Sequence, residues 1–339
     1  MKKCGYHHFS VVYIARGPIM PTIKDVAKKA GVSVSTASYA LNNIPLVHPD
    51  TRKRVLEVAK AIDYHPNASA RNLKTKRTNN IGVFVYGFSG PVFSEILEGI
   101  NRVVHENGFN ILVSSGKSSS IMLKEKQVDA AVIFDSSFDR NVIFQYAKTA
   151  PVVLLDTYLQ GDNIYPSVID NDVLVHQLIR QMIDQGYRRF VYVAGPENAF
   201  NNKERYKGYL QALKEAKLKS IQYFYGDFTI PSGYRAGKEI AKMDPLPDFV
   251  YCANDEMALG IIQALHDEQI GVPEQIGVAG FDGSYIDNPY VHPSLTTVAI
   301  DHYSWGKSSA LFLINALQKG EIIKGVSKPI GEIMIKKST

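Results

Sequence analysis

Residues 22–42, TIKDVAKKAGVSVSTASYALN, parse as two short helices around a tight turn. Thr22 can N-cap the first helix, and Asp25 suits its first turn, where the helix dipole is positive. Ile23, Val26, Ala27 and Ala30 recur at helical spacing and form one apolar stripe. Gly31 stands where the chain must leave the helix with positive φ. Ser33 offers a second N-cap, and Val34–Leu41 opens another helix with Ala37, Ala40 and Leu41 facing inward. Two readings fit a helix pair joined by a short glycine turn. One is a helix-turn-helix, whose second helix enters a DNA major groove; the other is an ordinary αα-corner.

Beyond Asn42 a polar turn leads to a third helix, expected from Pro49 to Asp63, with proline near its start, where a missing N–H costs nothing. Val55, Val58, Ala59 and Ile62 would pack it onto the first two helices. Tyr64–Arg77, YHPNASARNLKTKR, is basic and so short that a lone helix there would be marginal in water. From Asn80 the pattern changes. IGVFVYGF, FNILVSS, VDAAVIFD, APVVLLDT, RRFVYVAG, QYFYGDF, DFVYCAND and IGVAGFD are apolar runs of the buried-strand kind. Helical stretches such as LVHQLIRQMIDQG, RYKGYLQALKEA and EMALGIIQALHDEQ separate most of them. Strands alternating with helices imply parallel sheets covered on both faces, and this many units implies two Rossmann-like lobes.

Charge divides along the same boundary. Residues 1–80 hold 14 Lys and Arg against 4 Asp and Glu, a balance of +10, and residues 81–339 hold 24 against 29, a balance of −5. A basic head on a mildly acidic body suits a polyanionic partner that touches only the head. The two cysteines, Cys4 and Cys252, form no disulfide framework, as suits a reducing cytoplasm. No run of about 18 apolar residues exists, so no membrane span is expected. Phe9–Ala15 resembles a signal peptide only loosely, because Arg16 and Pro18 follow it without a small-residue cleavage site. Cys4, His7 and His8 lie at a terminus expected to be disordered rather than in a metal site. There is no G-x-S-x-G elbow, P-loop or H-E-x-x-H, so catalysis, metal and cofactor all lack support.

TIKDVAKKAGVSVSTASYALN followed by HPDTRKRVLEVAKAIDYHPNASARNLKTKRT closely resembles the N-terminus of LacI/GalR-family transcriptional regulators. The resemblance covers nearly the whole chain after residue 20. It implies a small all-α helix-turn-helix DNA-binding domain plus an α/β two-lobed domain of periplasmic-binding-protein type. The expected divisions are an extension at 1–19, the head at 20–64, a hinge at 65–78 and an effector-binding and dimerisation domain at 79–339. In that last part lobe 1 takes about 79–169 and 300–327, and lobe 2 about 170–299 and 328–339. The resemblance assigns DNA contacts to Thr22, Lys28, Ser33, Val34, Ser35, Thr36, Ser38, Tyr39 and Asn42. In the hinge it assigns Asn67, Ala70 and Leu73, the leucine as a wedge between base steps of the minor groove. His48 stands where the family more often has serine, and Tyr39 where many members carry arginine.

Open α/β sheets bind ligands at the carboxyl ends of their strands. Residues there are Phe93, Asp135 and Asp156 in the first lobe and Phe228, Asn254, Asp255 and Asp282 in the second, with Arg205 opening RYKGYL. Aromatic faces beside Asp, Asn and Arg suit a sugar, since a ring stacks on a pyranose while polar groups pair with its hydroxyls. The resemblance supports Arg205, Asn254, Asp282 and Phe228 as effector contacts, with Phe93, Asp135 and Asp156 alongside. Asp255 is expected to cap its helix, and Trp305 to be buried core. Between Ser115 and Val128 only GKSSSIMLKEKQ occupies the place of a full helix and longer loop, so a truncated or missing helix is expected. The resulting reading is a cytoplasmic, homodimeric repressor of carbohydrate-utilisation genes that binds a palindromic operator under control of a sugar effector. The alternatives are a stand-alone sugar-binding protein and a sugar-modifying enzyme.

Overall fold

The computed structural model describes residues 21–66, 72, 75–286, 288–319 and 325–339. The extension at 1–19 and the hinge residues Asn67, Ala70 and Leu73 lie outside the described residues. The chain divides into two compact units, Met1–Thr78 and Asn79–Thr339.

In the first unit, α1 (Ile23–Ala30), α2 (Val34–Leu41) and α3 (Pro49–Ala61) follow in order. The Asp25 carboxylate accepts from both the backbone N–H and the hydroxyl of Thr22 at 2.8 Å. Those bonds hold the Asp25 carboxyl below the usual carboxylate range. Gly31 leaves α1 at φ 64°, as its position requires. Ser33 caps α2 by accepting from the Thr36 N–H at 3.0 Å. His48 precedes Pro49 without a capping bond from its side chain. Val26, Ala27, Ala30, Ala37, Ala40, Val47, Val55 and Ala59 form the core. Small residues dominate it, so the three helices approach closely around little apolar volume.

The second unit contains two parallel sheets. The first has strand order β2-β1-β3-β4-β5, from β1 (Asn80–Val85), β2 (Asn110–Ser115), β3 (Ala130–Phe134), β4 (Val152–Leu154) and β5 (Ile164–Pro166). The other has order β7-β6-β8-β9, from β6 (Phe190–Ala194), β7 (Ser220–Tyr225), β8 (Phe249–Cys252) and β9 (Gly277–Ala279). In each, the first strand sits inside the order with a reversal beside it, the arrangement that opens a crevice at the strand ends. A separate antiparallel pair, β10 (Thr297–Ile300) and β11 (Gly331–Met334), carries the chain between lobes.

Helices cover both faces. They are α4 (Pro91–Glu106), α5 (Lys117–Lys124) and α6 (Arg140–Ala147), then α7 (Asn171–Asp184), α8 (Phe200–Glu215), α9 (Ile230–Ile240), α10 (Asp255–Asp267) and α11 (His302–Lys319). α4 and α11 pack closely. A Cβ on Gly99 would stand 2.1 Å from the Tyr303 carbonyl, and one on Gly306 would stand 2.2 Å from the Ile96 carbonyl. Each helix thus supplies one glycine to the other's backbone, and this seam returns the chain to lobe 1.

Of the two forms expected for the segment after β2, the structure has the truncated helix: α5 has eight residues and buries Ser119 and Leu123. One expectation changes. Asp255 is not the cap of α10. Asn254 takes that place at φ −151°, its side-chain oxygen accepting from the Met257 N–H at 3.1 Å.

Candidate functional site

In the head, the start of α2 presents a hydroxyl cluster. The Ser33 Oγ lies 2.8 Å from both the Ser35 Oγ and the Thr36 Oγ1. Val34 and Ser35 are exposed, Thr36 and Ser38 half-buried, and the exposed Asn42 side chain donates to the Ser38 carbonyl at 2.8 Å. Tyr39 is half-buried and packs on the head core, so part of its ring is committed to packing. α2 carries no charged residue; Lys24, Lys28 and Lys29 on α1 and Lys53 and Arg54 on α3 are exposed. α2 is thus uncharged while the two helices packed against it are cationic. Thr22 is exposed with its hydroxyl turned to Asp25.

The second unit holds a cleft cavity of about 690 Å³, counting space open to solvent. Phe93, Asp156, Arg205, Phe228, Asn254 and Asp282 all line it. Arg205 organises the lobe-2 wall. Its Nε donates to the Asn171 Oδ1 at 2.8 Å, Nη1 to the Ala253 carbonyl, and Nη2 to the Asp282 Oδ1 at 3.2 Å. Its guanidinium also sits 3.7 Å from the Phe281 ring centroid. Burial raises the Asp282 carboxyl above its ordinary range, against the lowering effect of Arg205. Asp282 itself has φ 113°, a left-handed backbone that few side chains adopt, and pairs with Ala299 across an isolated bridge. Phe228, at φ 66°, lays its ring where a Cβ on Gly195 would fall. Asn254 donates to the Phe228 carbonyl at 3.0 Å, so its cap position also fixes the Phe228 backbone.

The lobe-1 wall is aromatic and acidic. Tyr86 packs edge-on against Phe93 at 4.7 Å, Phe93 on Phe134 at 5.1 Å, and Phe134 on Trp305 at 5.7 Å. Trp305 is 2% exposed and donates to Ser167, so it is core as expected, yet it also lines the cleft. Asp156 accepts from the Ser136 N–H at 3.1 Å. Burial, then the neighbouring Asp135, raises its carboxyl to about 7. Asp135 is not among the lining residues; its carboxylate turns back to the Ser137 N–H at 2.9 Å and hydroxyl at 2.6 Å. Tyr86, Asn171, Glu256, Ser284 and His302 line the cavity without having been singled out from sequence as effector contacts.

Residues 22–67 match bacterial regulatory proteins of the lacI family, and residues 179–339 match the periplasmic binding protein-like domain. Catabolite control protein A of Priestia megaterium is 30% identical over 329 residues, covering 94% of this chain and 99% of that protein. The chain belongs to the LacI family. Among further LacI-family relatives, the regulator RegA of Clostridium saccharobutylicum is 33% identical over 314 residues, covering 89% of this chain and 94% of that protein. A solved CelR–cellobiose complex is 27% identical with a TM-score of 0.67, covering 94% of this chain and 100% of that one. The lac repressor dimer bound to operator and an anti-inducer shares the fold, with a TM-score of 0.79 at 24% identity and coverage of 94% and 99%. This LacI-family chain is therefore a DNA-binding transcriptional regulator and not an enzyme. Among the described residues no helix is long and apolar enough to cross a membrane.

Proposed function

We propose that the protein is a cytoplasmic, homodimeric repressor of carbohydrate-utilisation genes. Its affinity for a palindromic operator responds to a sugar bound between the two lobes. The supporting observation is the cleft itself, where the Arg205–Asp282 pair shares one cavity with Phe93, Phe228 and Trp305. Arg205 spends three N–H groups on the protein and keeps others for hydroxyls, while ring faces suit the apolar side of a pyranose. The similarity to a regulator solved with cellobiose supports the same reading.

On this reading Thr22, Lys28, Ser33, Val34, Ser35, Thr36, Ser38, Tyr39, Asn42, Asn67, Ala70 and Leu73 face DNA. Phe93, Asp156, Arg205, Phe228, Asn254 and Asp282 face the effector. A two-fold dimer presents two such heads to two half-sites. Thermal-shift screening against mono- and disaccharides tests the effector, because a ligand of the folded state raises apparent stability by mass action. Operator binding measured with and without each hit tests the coupling. A hit that stabilises the protein without changing operator affinity overturns the regulatory part; no stabilisation by any sugar overturns the effector class.

A further inference from the structure

The charge inside the cleft says more about the ligand than its shape does. Four carboxylates line the cavity, Asp156, Asp255, Glu256 and Asp282. Among the described residues lining it, the only Lys or Arg is Arg205, and that guanidinium is already shared among Asn171, the Ala253 carbonyl and Asp282. His302 also lines the cleft, with its Nδ1 3.5 Å from the Glu95 carboxylate. The remaining partners of the acids are neutral. Asp156 receives the Ser136 N–H and the Thr157 hydroxyl, and Asp255 receives the Thr297 hydroxyl and the Ser284 N–H. The buried carboxylates of Asp156 on lobe 1 and Asp255 on lobe 2, with half-buried Glu256, thus share one cavity without matching cations.

One further feature is open to a ligand. The Tyr86–Phe93 edge-on pair offers ring faces of the kind that attract an organic cation. Burial first, then Asp282, Glu256 and Asp156, pushes the Tyr86 phenol up to about 12, although half of that side chain stays open. Arg205 opposes that rise and is paired with Asp282, so Asp156 and Glu256 are the acids of this wall left without a cation. Burial raises all four acids towards their neutral forms, and an anion placed there would raise them further or meet their like charge. A neutral polyol would hydrogen-bond but leave the acids unpaired. An ammonium group satisfies both requirements at once.

We infer that the cleft ligand carries an ammonium group seated by Asp156 and Glu256; given the sugar reading above, on which this rests, it is an amino sugar. Sugar phosphates and sugar acids are rejected by the same charge. Isothermal titration of the full chain tests this with glucosamine, galactosamine and mannosamine. Their parent hexoses, N-acetyl derivatives and 6-phosphates serve as comparisons, and putrescine as a non-sugar diamine. One amino sugar should bind about tenfold or more tighter than its parent and its N-acetyl form, which keeps the ring but loses the charge. Asp156→Asn, and separately Glu256→Gln in case the first disturbs folding, should bring that ratio to within about threefold. Tighter binding of a parent hexose or a 6-phosphate overturns the inference while leaving a sugar effector standing. Binding of putrescine alone keeps the ammonium and overturns the sugar. Failure of every amine overturns the inference outright.

Discussion

Asp156→Asn should stabilise the ligand-free protein, and by more at high pH than at low pH. The substitution keeps the shape and an oxygen that can accept from the Ser136 N–H, now at 3.1 Å, but removes the ability to ionise. Burial and the adjacent Asp135 raise the folded-state carboxyl from 3.8 to about 7. The sign follows from which state holds the proton. Below the unfolded value both states are protonated, and no penalty exists. As pH rises towards the folded value the unfolded chain ionises first, so the folded state loses stability at about 1.4 kcal/mol per pH unit. Above the folded value the loss levels off at roughly 4 kcal/mol. Asparagine escapes this loss, so its advantage should grow by about 2–3 kcal/mol between pH 5 and pH 8. The chain's single tryptophan, Trp305, is buried beside this cavity, so its fluorescence during urea titration reports unfolding of the right unit. A stability difference that stays constant from pH 5 to pH 8, or that favours the parent protein at pH 8, would refute the assignment of an uncompensated acid there.

Arg205→Ala should abolish effector response and lower the stability of the effector unit by about 3–5 kcal/mol, since Asp282 loses its buried partner; operator binding without effector, measured at low temperature, should persist. Gly99→Ala should destabilise by at least about 1–3 kcal/mol, because the added methyl group meets the Tyr303 carbonyl at 2.1 Å and must part α4 from α11; thermal unfolding equal to the parent would show that this seam yields freely. Tyr39→Arg should shift base preference at one symmetric position per half-site towards guanine by about 1–3 kcal/mol, whereas Lys28→Ala should weaken all sequences alike and reduce the salt slope by about one. Site selection from a random duplex library separates these two, and an unchanged consensus for the tyrosine variant would remove that position from base reading.

The sequence made the elements readable wherever the signal is local. Gly31 and Ser33 act within a few residues and have the expected dihedral and bond, while at Thr22 the bonds run from its N–H and hydroxyl to the Asp25 carboxylate. The long apolar strands likewise stand where their runs occur, while β5, with three residues, and the β10–β11 pair are too short or too non-local to announce themselves. The cleft shows the limit most clearly. Asp135 and Asp156 both follow a strand of the first sheet and look alike as sequence, yet only Asp156 reaches the cavity. What separates them is the next turn: Ser137 folds back to hold the Asp135 carboxylate at 2.9 and 2.6 Å, whereas Asp156 has only longer bonds from the Ser136 N–H and the Thr157 hydroxyl, at 3.1 and 3.5 Å. Asn254 and Asp255 divide in the same manner. The extended dihedrals at Asn254 make it the cap and drop Asp255 into the interior against Thr297, 42 positions away. Asn171, which holds Arg205 from 34 positions away, carries no local mark of that role at all. Strand ends thus nominate acids for a site, but the turns after them, and side chains arriving from other units of the sheet, decide which acids remain uncompensated. That remainder, rather than any one motif, is the property a ligand would have to answer.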